Sequence, residues 1–214
     1  MPFDFKKEQK EFYSPSRKPS IITLPSINYV AVRGKGDPNE EEGEYKRALE
    51  MLYTVSYTLK MSYKGDYRIE GYFEYVVPPL EGLWWLDDGR EVAATALLDK
   101  SKFNWISMIR VPDFIREEDL DWAKSEILRK KKTDCSAVEF MTMEEGLCAQ
   151  ILHVGPYDDE PATIAALDDF ITSRAYAKDF SPTRRHHEIY LSDPRKSAPD
   201  KLKTVIRVPI KKAE

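Results

Sequence analysis

The spacing of apolar residues in the first half of the chain predicts a strand, a helix and two further strands. Residues 20–34, SIITLPSINYVAVRG, are rich in β-branched side chains and end at a glycine, which is typical of a strand. From Glu44 to Ser62 apolar residues recur at helical spacing, so we expect a helix there. Residues 71–79, GYFEYVVPP, and 104–112, NWISMIRVP, each read as a strand stopped by proline.

The same order of elements is predicted again in the second half. An amphipathic segment at about 115–132 is acidic at its start and basic at its end, which is typical of a connecting helix. Asp158 is a candidate N-cap for the later helix, and Pro161 falls in its first turn. The four elements expected after the connection are a strand at 146–155, a helix at 156–177, a strand at 186–194 and a strand at 202–209.

The tetrapeptide IRVP closes both sets of elements, at 109–112 and at 206–209. The first set is longer, and its extra residues, which include PPLEGLWWLDDG, fall between the predicted elements, where a duplicated unit tolerates insertions. We therefore predict a single α+β domain over residues 1–214, made of a tandem β-α-β-β repeat at about 20–112 and 141–210. The antiparallel sheet would carry its helices on one side, with a ligand groove between the two units.

Two glutamates occupy matching places in this alignment, Glu74 in YFEYV and Glu188 in HHEIY. Side chains alternate across a strand, so Glu188 shares one face with His186 and Tyr190, and Glu74 shares one with Tyr72. We expect the other, more apolar faces to meet the helices. The two carboxylates, the two tyrosines and the histidine would then surround one groove, although a mid-strand glutamate is ordinarily just solvated.

Aromatic residues make up 12% of the chain and supply further candidates for the groove. Trp84 and Trp85 lie in the long insertion of the first unit and are either core or pocket wall. The face of Trp105 is undecided from the pattern. Tyr157, at a helix start, either closes the end of the groove or packs, and His186 is either a catalytic group or a hydrogen-bonding neighbour.

Composition and charge narrow the classes of function. The net charge is −4, so no basic excess indicates a nucleic-acid partner. The chain shows neither a membrane-spanning apolar run nor the apolar core of a signal peptide, and we expect a cytoplasmic protein. The two cysteines, Cys135 and Cys148, and the three histidines lack metal-ligand spacing, and no glycine-rich phosphate motif occurs. We therefore expect neither a metal nor a cofactor.

Four segments of the chain resemble the GyrI-like small-molecule-binding domain proteins: VRGKGDPN, PPLEGLWW, VGPYDDEPATI and HHEIYLSDPRKSAPDKLKTVIRVP. The resemblance covers nearly the whole chain, and HEIYLSDP followed by KLKTVIR is its most specific part. It implies tandem β-α-β-β units whose groove binds drug-like, often aromatic or cationic, molecules, with a central glutamate matched here by Glu188. The first 20 residues are too short and polar for a helix-turn-helix, so a DNA-binding regulator is not expected.

Part of the stand-alone subfamily, which this chain is most similar to, resembles hydrolases that open the cyclopropane of DNA-alkylating cyclopropanoid compounds within an aromatic cage. The resemblance implies Trp84, Trp85 and the groove tyrosines as cage candidates. Our own hypothesis is that Glu188 is the catalytic base, which orients and deprotonates a water. Two alternatives stay open: a non-catalytic binder that sequesters or senses its ligand, and an interaction protein like the DNA gyrase inhibitors. A homodimer through exposed sheet edges also stays open.

Overall fold

The computed structural model describes residues 1–86 and 99–213, which form one antiparallel sheet with helices on both sides. The strands are β1 (Ser20–Lys35), β2 (Leu80–Leu86), β3 (Phe103–Arg110), β4 (Glu139–Val154), β5 (Tyr176–Lys178), β6 (His186–Tyr190) and β7 (Lys203–Lys212). The helices are α1 (Phe5–Glu8), α2 (Lys10–Tyr13), α3 (Glu44–Lys60), α4 (Glu117–Lys131) and α5 (Glu160–Ser173). The predicted α+β class with an antiparallel sheet is confirmed.

The strands follow the order β4-β1-β3-β2-β6-β7-β5, and β4 also pairs with β7. Six strands therefore close into a ring, to which β5 is added. The long strands β1 and β4 make this closure possible, because each pairs with two neighbours along largely different parts of its length. Strand β1, for example, pairs with β4 through residues 20–31 and with β3 through residues 29–35. The pairing of β2 with β6 joins the two halves of the ring on the far side.

Helices α3 and α5 cover the same side of the sheet, which we call the helix face. The buried positions of α3 recur every three or four residues, at Ala48, Leu52, Val55 and Leu59, and pack in one cluster with residues of β1 and β3 such as Val32. On α5, buried residues such as Ile164 and Leu167 pack in a second cluster with β4 and β7. Each fully buried aliphatic side chain stabilises the fold by about 1.5–3 kcal/mol. The buried residues of α3 and of α5 therefore hold both helices against the sheet.

The opposite side of the sheet, which we call the inner face, is covered by the N-terminal helices. Phe5 and Tyr13 pack in one cluster with Ile189 and Val205. The helices also cap polar groups of the sheet: the backbone carbonyl of Phe12 accepts a hydrogen bond of 2.8 Å from Arg207 Nη2. Both helices are only four residues long, so the period of apolar residues does not reveal them.

The prediction that residues 71–79 form a strand is wrong. Within this segment Tyr75 makes a single isolated bridge, to Phe3, and the strand begins after the two prolines, at Leu80. Strand β2 thus lies in the segment that we interpreted as an insertion, whose residues 87–89 lie outside the described part. Because β2 is paired on both sides and buried on both faces, its sequence LEGLWWL does not alternate, and the polar–apolar pattern of an ordinary strand is missing.

Several boundaries also differ from prediction. Strand β4 begins at Glu139 rather than 146, and α5 ends at Ser173. The helix is capped by Asp159 rather than Asp158, after a turn of 3₁₀-helix at Tyr157–Asp159. Strand β7 runs through Pro209 to Lys212. The carbonyl of Pro209 points away from β4 and accepts from the Asp179 N–H, and the nitrogen of Pro209 lies on the same side of the strand as that carbonyl. The N–H that proline lacks therefore removes no hydrogen bond to β4.

The connecting helix is confirmed as α4, which begins with three acidic residues and ends with Arg129, Lys130 and Lys131. Cys135 and Cys148 are both buried free thiols. Among the helices of the described ranges, none combines the length and apolar character that crossing a bilayer requires.

Candidate functional site

Glu188 lies on the helix face at the junction of β2, β6 and β7. It is in register with Gly82 on β2 and with Ile206 on β7, and Ile206 packs with α5. The expectation that the Ile189 side of β6 meets the helices α3 and α5 is therefore wrong. Ile189 lies on the inner face, where α1 and α2 supply the apolar cover, so the Glu188 side is left facing the space between α3 and α5.

The carboxylate is held by a short chain of hydrogen bonds. Tyr190 Oη donates to Glu188 Oε2 at 2.7 Å, Trp84 Nε1 donates to Tyr190 Oη at 2.9 Å, and His186 Nε2 lies 3.0 Å from Glu188 Oε1. We call these four residues the Glu188 cluster. Burial, together with the charge of Glu188, raises the pKa of Tyr190 well above its usual value, so the phenol remains a donor. The Glu188 side chain is 12% exposed, which leaves it partly accessible to solvent.

Aromatic rings from the starts of both helices flank the cluster. Tyr45, in the first turn of α3, lies 5.5 Å from Trp84 and meets Trp105 edge-on at 5.1 Å between ring centroids. Tyr157, just before α5, meets Tyr190 edge-on at 5.8 Å and is 38% exposed, which puts it at the rim. Burial, then the charges of Glu160 and Glu188, raise the pKa of Tyr157 to about 12. The arrangement is a polar centre walled by rings.

Two glycines make room for the indoles of this wall. A Cβ at position 82 would lie 2.7 Å from Trp84 Nε1 and 3.3 Å from Tyr190 Oη, so a side chain there would push apart the pair that supports Glu188. A Cβ at position 34 would lie 2.2 Å from Trp105 Cη2. Both contacts are far closer than packing allows, and both positions therefore require glycine.

A second carboxyl group, missed by sequence reasoning, lies at the start of α5. Glu160 is 7% exposed, and burial together with the nearby charge of Glu188 raises its pKa well above the ordinary value, which favours the protonated form of the carboxyl. An acidic residue in the first turn is common in helices, so the pattern gave no sign of this environment. The charge of Glu188 acts on the Glu160 carboxyl, so the two groups are near neighbours.

Buried polar atoms around these carboxyls lack partners. Thr204 lies close enough to act on the Glu160 carboxyl, yet neither Thr204 Oγ1 nor Glu160 Oε1 makes a hydrogen bond of good geometry within the described residues. Ser107 Oγ, on the strand next to Gly82, is in the same state. Buried polar groups are ordinarily satisfied, so three orphaned groups on the helix face indicate a place where water or a ligand bonds.

The structure separates several residues that we expected together. Trp84 and Trp105 lie on the helix face, whereas Trp85 is on the inner face, where the Arg185 guanidinium stacks 4.8 Å from its ring centroid. Tyr72 donates to the carbonyl of Lys60 at the far end of α3, about 22 Å along the helix from Tyr45.

Glu74 is an exposed residue outside the strands, and its carbonyl accepts from the backbone of Phe3. The predicted pairing of Glu74 with Glu188 is therefore wrong, because the strand that pairs with β6 begins six residues later, at Leu80.

The inner face behind the site holds a buried charge network. His187 Nε2 lies 2.9 Å from Glu81 Oε2, and His187 Nδ1 lies 3.0 Å from Glu145 Oε1. Arg207 Nη1 lies 3.3 Å from the other oxygen of Glu145. Burial alone would lower the pKa of His187, but Glu145 and Glu81 outweigh it and raise the pKa to about 9. Burial would raise the pKa of Glu145, but His187 and Arg207 hold it at about 2. The contacts among these four residues tie β2, β4, β6 and β7 together.

Residues 1–86 and 99–213 contain no group of three or more His, Cys, Asp or Glu side chains arranged to hold a metal ion. Two cavities are defined by residues away from Glu188. One, of about 550 Å³, is an open depression beside Gly146 and Arg184. The other, of about 240 Å³, lies at the end of β3 beside Arg110. The chemistry of the Glu188 cluster therefore rests on its contacts and not on either cavity.

Comparison with known proteins gives close structural relatives. A hydrolase from Listeria innocua is 44% identical with a TM-score of 0.87, covering 98% of this chain and 100% of that chain. An uncharacterized conserved protein from the same organism is 45% identical with a TM-score of 0.89 and the same coverage. The EcmrR C-terminal domain is 11% identical with a TM-score of 0.53 over 92% of this chain and 98% of that chain, and shows likeness of fold alone.

No relative was found among the curated proteins. The model of the GyrI-like family, described as a GyrI-like small molecule binding domain, matches residues 17–211. This match spans every strand of the sheet and both helices that flank Glu188. The chain therefore belongs to the GyrI-like small-molecule-binding domain family.

Proposed function

We propose that the Glu188 cluster binds a planar aromatic compound that is cationic or electrophilic, and hydrolyses it when it carries a strained ring. The observation that carries this proposal is the environment of the Glu188 carboxylate. The Glu188 side chain is 12% exposed and is hydrogen-bonded to Tyr190 and His186. Aromatic rings from β2, from α3 and from the turn before α5 surround it. The orphaned polar atoms of Ser107, Thr204 and Glu160 add bonding capacity beside it.

Binding follows from the charges and rings of this site. The face of an aromatic ring attracts a cation by about 0.5–2 kcal/mol, depending on how far water is excluded. Glu188 supplies a full countercharge, and a flat ligand can stack against Tyr157 or Tyr45. Few of these contacts are directional, so we expect a range of ligands to bind.

Hydrolysis needs a base and an acid, and we assign these roles to Glu188 and Glu160. Glu188 takes a proton from water while the water oxygen attacks a ring carbon. The strained carbon–carbon bond breaks, and its electron pair moves to the conjugated carbonyl of the substrate. Glu160, whose pKa is raised by burial and by the charge of Glu188, then donates a proton to that oxygen from its protonated carboxyl.

The substrate class in this proposal comes from the family resemblance, which implies cyclopropanoid DNA-alkylating compounds. The Listeria innocua relative named a hydrolase, at 44% identity over nearly the whole chain, supports hydrolysis over binding alone. One observation favours a second candidate, a non-catalytic binder: both oxygens of Glu188 already accept hydrogen bonds from protein groups, with which an attacking water would have to compete.

The proposal is tested by incubating three proteins with a cyclopropanoid alkylator: wild type, Glu188→Gln and Glu160→Gln. Ring-opened product is measured by mass spectrometry and binding by tryptophan fluorescence. We expect Glu188→Gln to bind while its turnover falls by about 10²- to 10⁴-fold, because a positioned base contributes that much. Glu74→Gln is the matched control, since Glu74 is exposed and outside the sheet, and should match wild type.

The outcomes separate the two candidates. Full turnover in Glu188→Gln removes Glu188 from the chemistry. Binding by wild type without any ring-opened product rejects hydrolysis and supports the sequestering or sensing role. No binding of any planar aromatic cation or alkylator by wild type rejects both.

A further inference from the structure

Arg110 is a buried cation on the inner face that has no acidic partner. Arg110 is 5% exposed. Within the described residues, no carboxylate oxygen lies within ion-pair distance of its guanidinium. Its hydrogen bonds there run from Nη1 to neutral oxygens, to Gln9 Oε1 at 2.5 Å and to Tyr13 Oη at 3.5 Å. Nε, also buried, has no acceptor. A buried charge without a counterion is costly, so its retention calls for an explanation.

Arg207 holds the same place in the second IRVP segment as Arg110 holds in the first, and unlike Arg110 it has a carboxylate partner. Arg207 lies opposite Gln150 on β4, and its guanidinium bonds to Gln150 Oε1 and Glu145 Oε2. Arg110 lies opposite Tyr29 on β1, which offers neither an amide nor a carboxylate. Arg110 therefore lacks the direct carboxylate partner that Arg207 has. Its only link to a carboxylate within the described residues is indirect, through Tyr13, whose hydroxyl donates to Glu81.

Arg110 is one of the residues that line the cavity of about 240 Å³ at the end of β3. One of its faces lies on the Phe5 ring, 4.3 Å from the centroid. The cavity is otherwise walled by phenylalanines in edge-to-face contact: Phe3 lies 5.5 Å from Phe73, and Phe73 lies 4.9 Å from Phe114. Phe73 is 44% exposed, so this wall borders solvent and the cavity is open to an entering molecule.

We propose that this Arg110 pocket binds the carboxylate of a small planar aromatic acid. A carboxylate would accept from the unpartnered Nε and from the guanidinium fork, the geometry in which arginine binds carboxylates most strongly. The ring of the ligand would take an edge-to-face place among Phe3, Phe73 and Phe114. The cavity volume suits one aromatic ring, since cavities on the order of 150 Å³ already hold benzene. The pocket lies on the face opposite Glu188 and is independent of the function proposed above.

Benzoate titrated into ¹⁵N-labelled protein tests this pocket, with benzamide, which has the same shape but no charge, as the matched ligand. Saturable shifts should appear at the amides of Gly71 and Phe114, and benzamide should bind at least about tenfold more weakly because it lacks the charge-assisted bonds. Arg110→Lys should weaken benzoate by about tenfold, since it removes Nε and the planar fork. Asp113→Asn should strengthen it, because Asp113 is an exposed acid at the mouth.

Controls separate the pocket from a general charge effect and from the Glu188 site. Arg195→Lys, an exposed arginine paired with Asp193, should leave benzoate binding unchanged, as should Glu188→Gln. If Arg110→Lys does not fold, Phe73→Leu on the rim replaces it, with weaker binding expected. Absence of saturable shifts in wild type, equal binding of benzoate and benzamide, or shifts centred on β6 would each overturn the proposal.

Discussion

Adjacent side chains on β2 and β6 have different roles because a strand directs them to opposite faces. His186 contacts Glu188 on the helix face, whereas His187 lies between Glu81 and Glu145 on the inner face. Trp84 supports Tyr190, whereas Trp85 stacks with Arg185. At the scale of single residues, neighbouring positions on one strand thus belong either to the candidate site or to the scaffold behind it.

The tryptophan pair offers a matched test of this division. In Trp84→Phe the indole N–H that bonds to Tyr190 Oη is lost, so the support of the Glu188 carboxylate weakens. We expect affinity for a planar aromatic cation such as ethidium to fall by about tenfold, the value of one hydrogen bond. Trp85→Phe, on the other face, should bind ethidium as wild type does. Isothermal titration calorimetry measures both, and equal losses in the two variants would show that the faces are not separate.

Residue patterns revealed only part of the candidate site. Glu188, His186 and Tyr190 are found on one face because alternation along β6 is regular. Glu160 could not be found, since its environment depends on how α5 meets β6 and β7, which are distant in sequence. Glu74 was paired with Glu188 because its neighbours alternate, whereas the true partner position in β2 is Gly82, which has no side chain to indicate a site.

At the scale of elements, helices with a regular apolar stripe and strands that end at a glycine or a proline were predictable, and the others were not. The helices α3 and α4 and the strands β1 and β3 follow their predicted ranges closely, because each has a regular apolar stripe or a proline stop. The strand β2 was missed because its residues do not alternate and because the two prolines that we interpreted as the end of a strand come directly before it. The helices α1 and α2 are too short to be stable alone and depend on the inner face that they cover.

The contact between β1, β3 and α3 gives a prediction at this scale. In Gly34→Ala the new Cβ would meet Trp105 Cη2 at 2.2 Å and Glu44 Oε1 at 2.8 Å, so the indole or the helix start must shift. We expect the free energy of unfolding to fall by about 1–3 kcal/mol, as for other overpacked cores. Urea denaturation measures it. Gly65→Ala, whose Cβ would have only an ordinary contact of 3.6 Å, is the control, and an equal loss there would contradict the steric reason.

At the scale of the whole molecule, the charge network on the inner face joins strands from both halves of the ring. Glu81 comes from β2, Glu145 from β4, His187 from β6 and Arg207 from β7. The network lies directly behind Glu188, since His187 and Glu188 are neighbours on β6. Its charge state therefore bears on the stability of the sheet that presents the site.

The network predicts how stability depends on pH. The pKa of His187 rises from 6.5 to about 9 on folding, so its contribution is complete below pH 6.5 and is lost as pH rises through 9. The pKa of Glu145 falls from 4.5 to about 2, so its contribution is present above pH 4.5 and is lost as pH falls through 2. The pair is therefore most stabilising between these windows, from about pH 4.5 to 6.5.

Denaturant titrations across this range measure the effect. Wild type should lose on the order of 3 kcal/mol of unfolding free energy from pH 6.5 to 9 through His187, and His187→Gln should show little of this loss. His153→Gln is the control: His153 lies outside the network, bonded to Thr163 and the carbonyl of Pro156, and its removal should leave the alkaline loss in place. An unchanged alkaline slope in His187→Gln would assign the loss to other groups.

The closure of six strands into a ring leaves very little unpaired backbone at the borders of the sheet. Over residues 1–86 and 99–213, the terminal strand of the sheet order is β5, and it is only three residues long. Amyloid-type growth starts from a long, flat border that recruits further strands, and this architecture offers none of that kind. Concentrated stocks of the folded protein should accordingly remain free of thioflavin-positive fibrils.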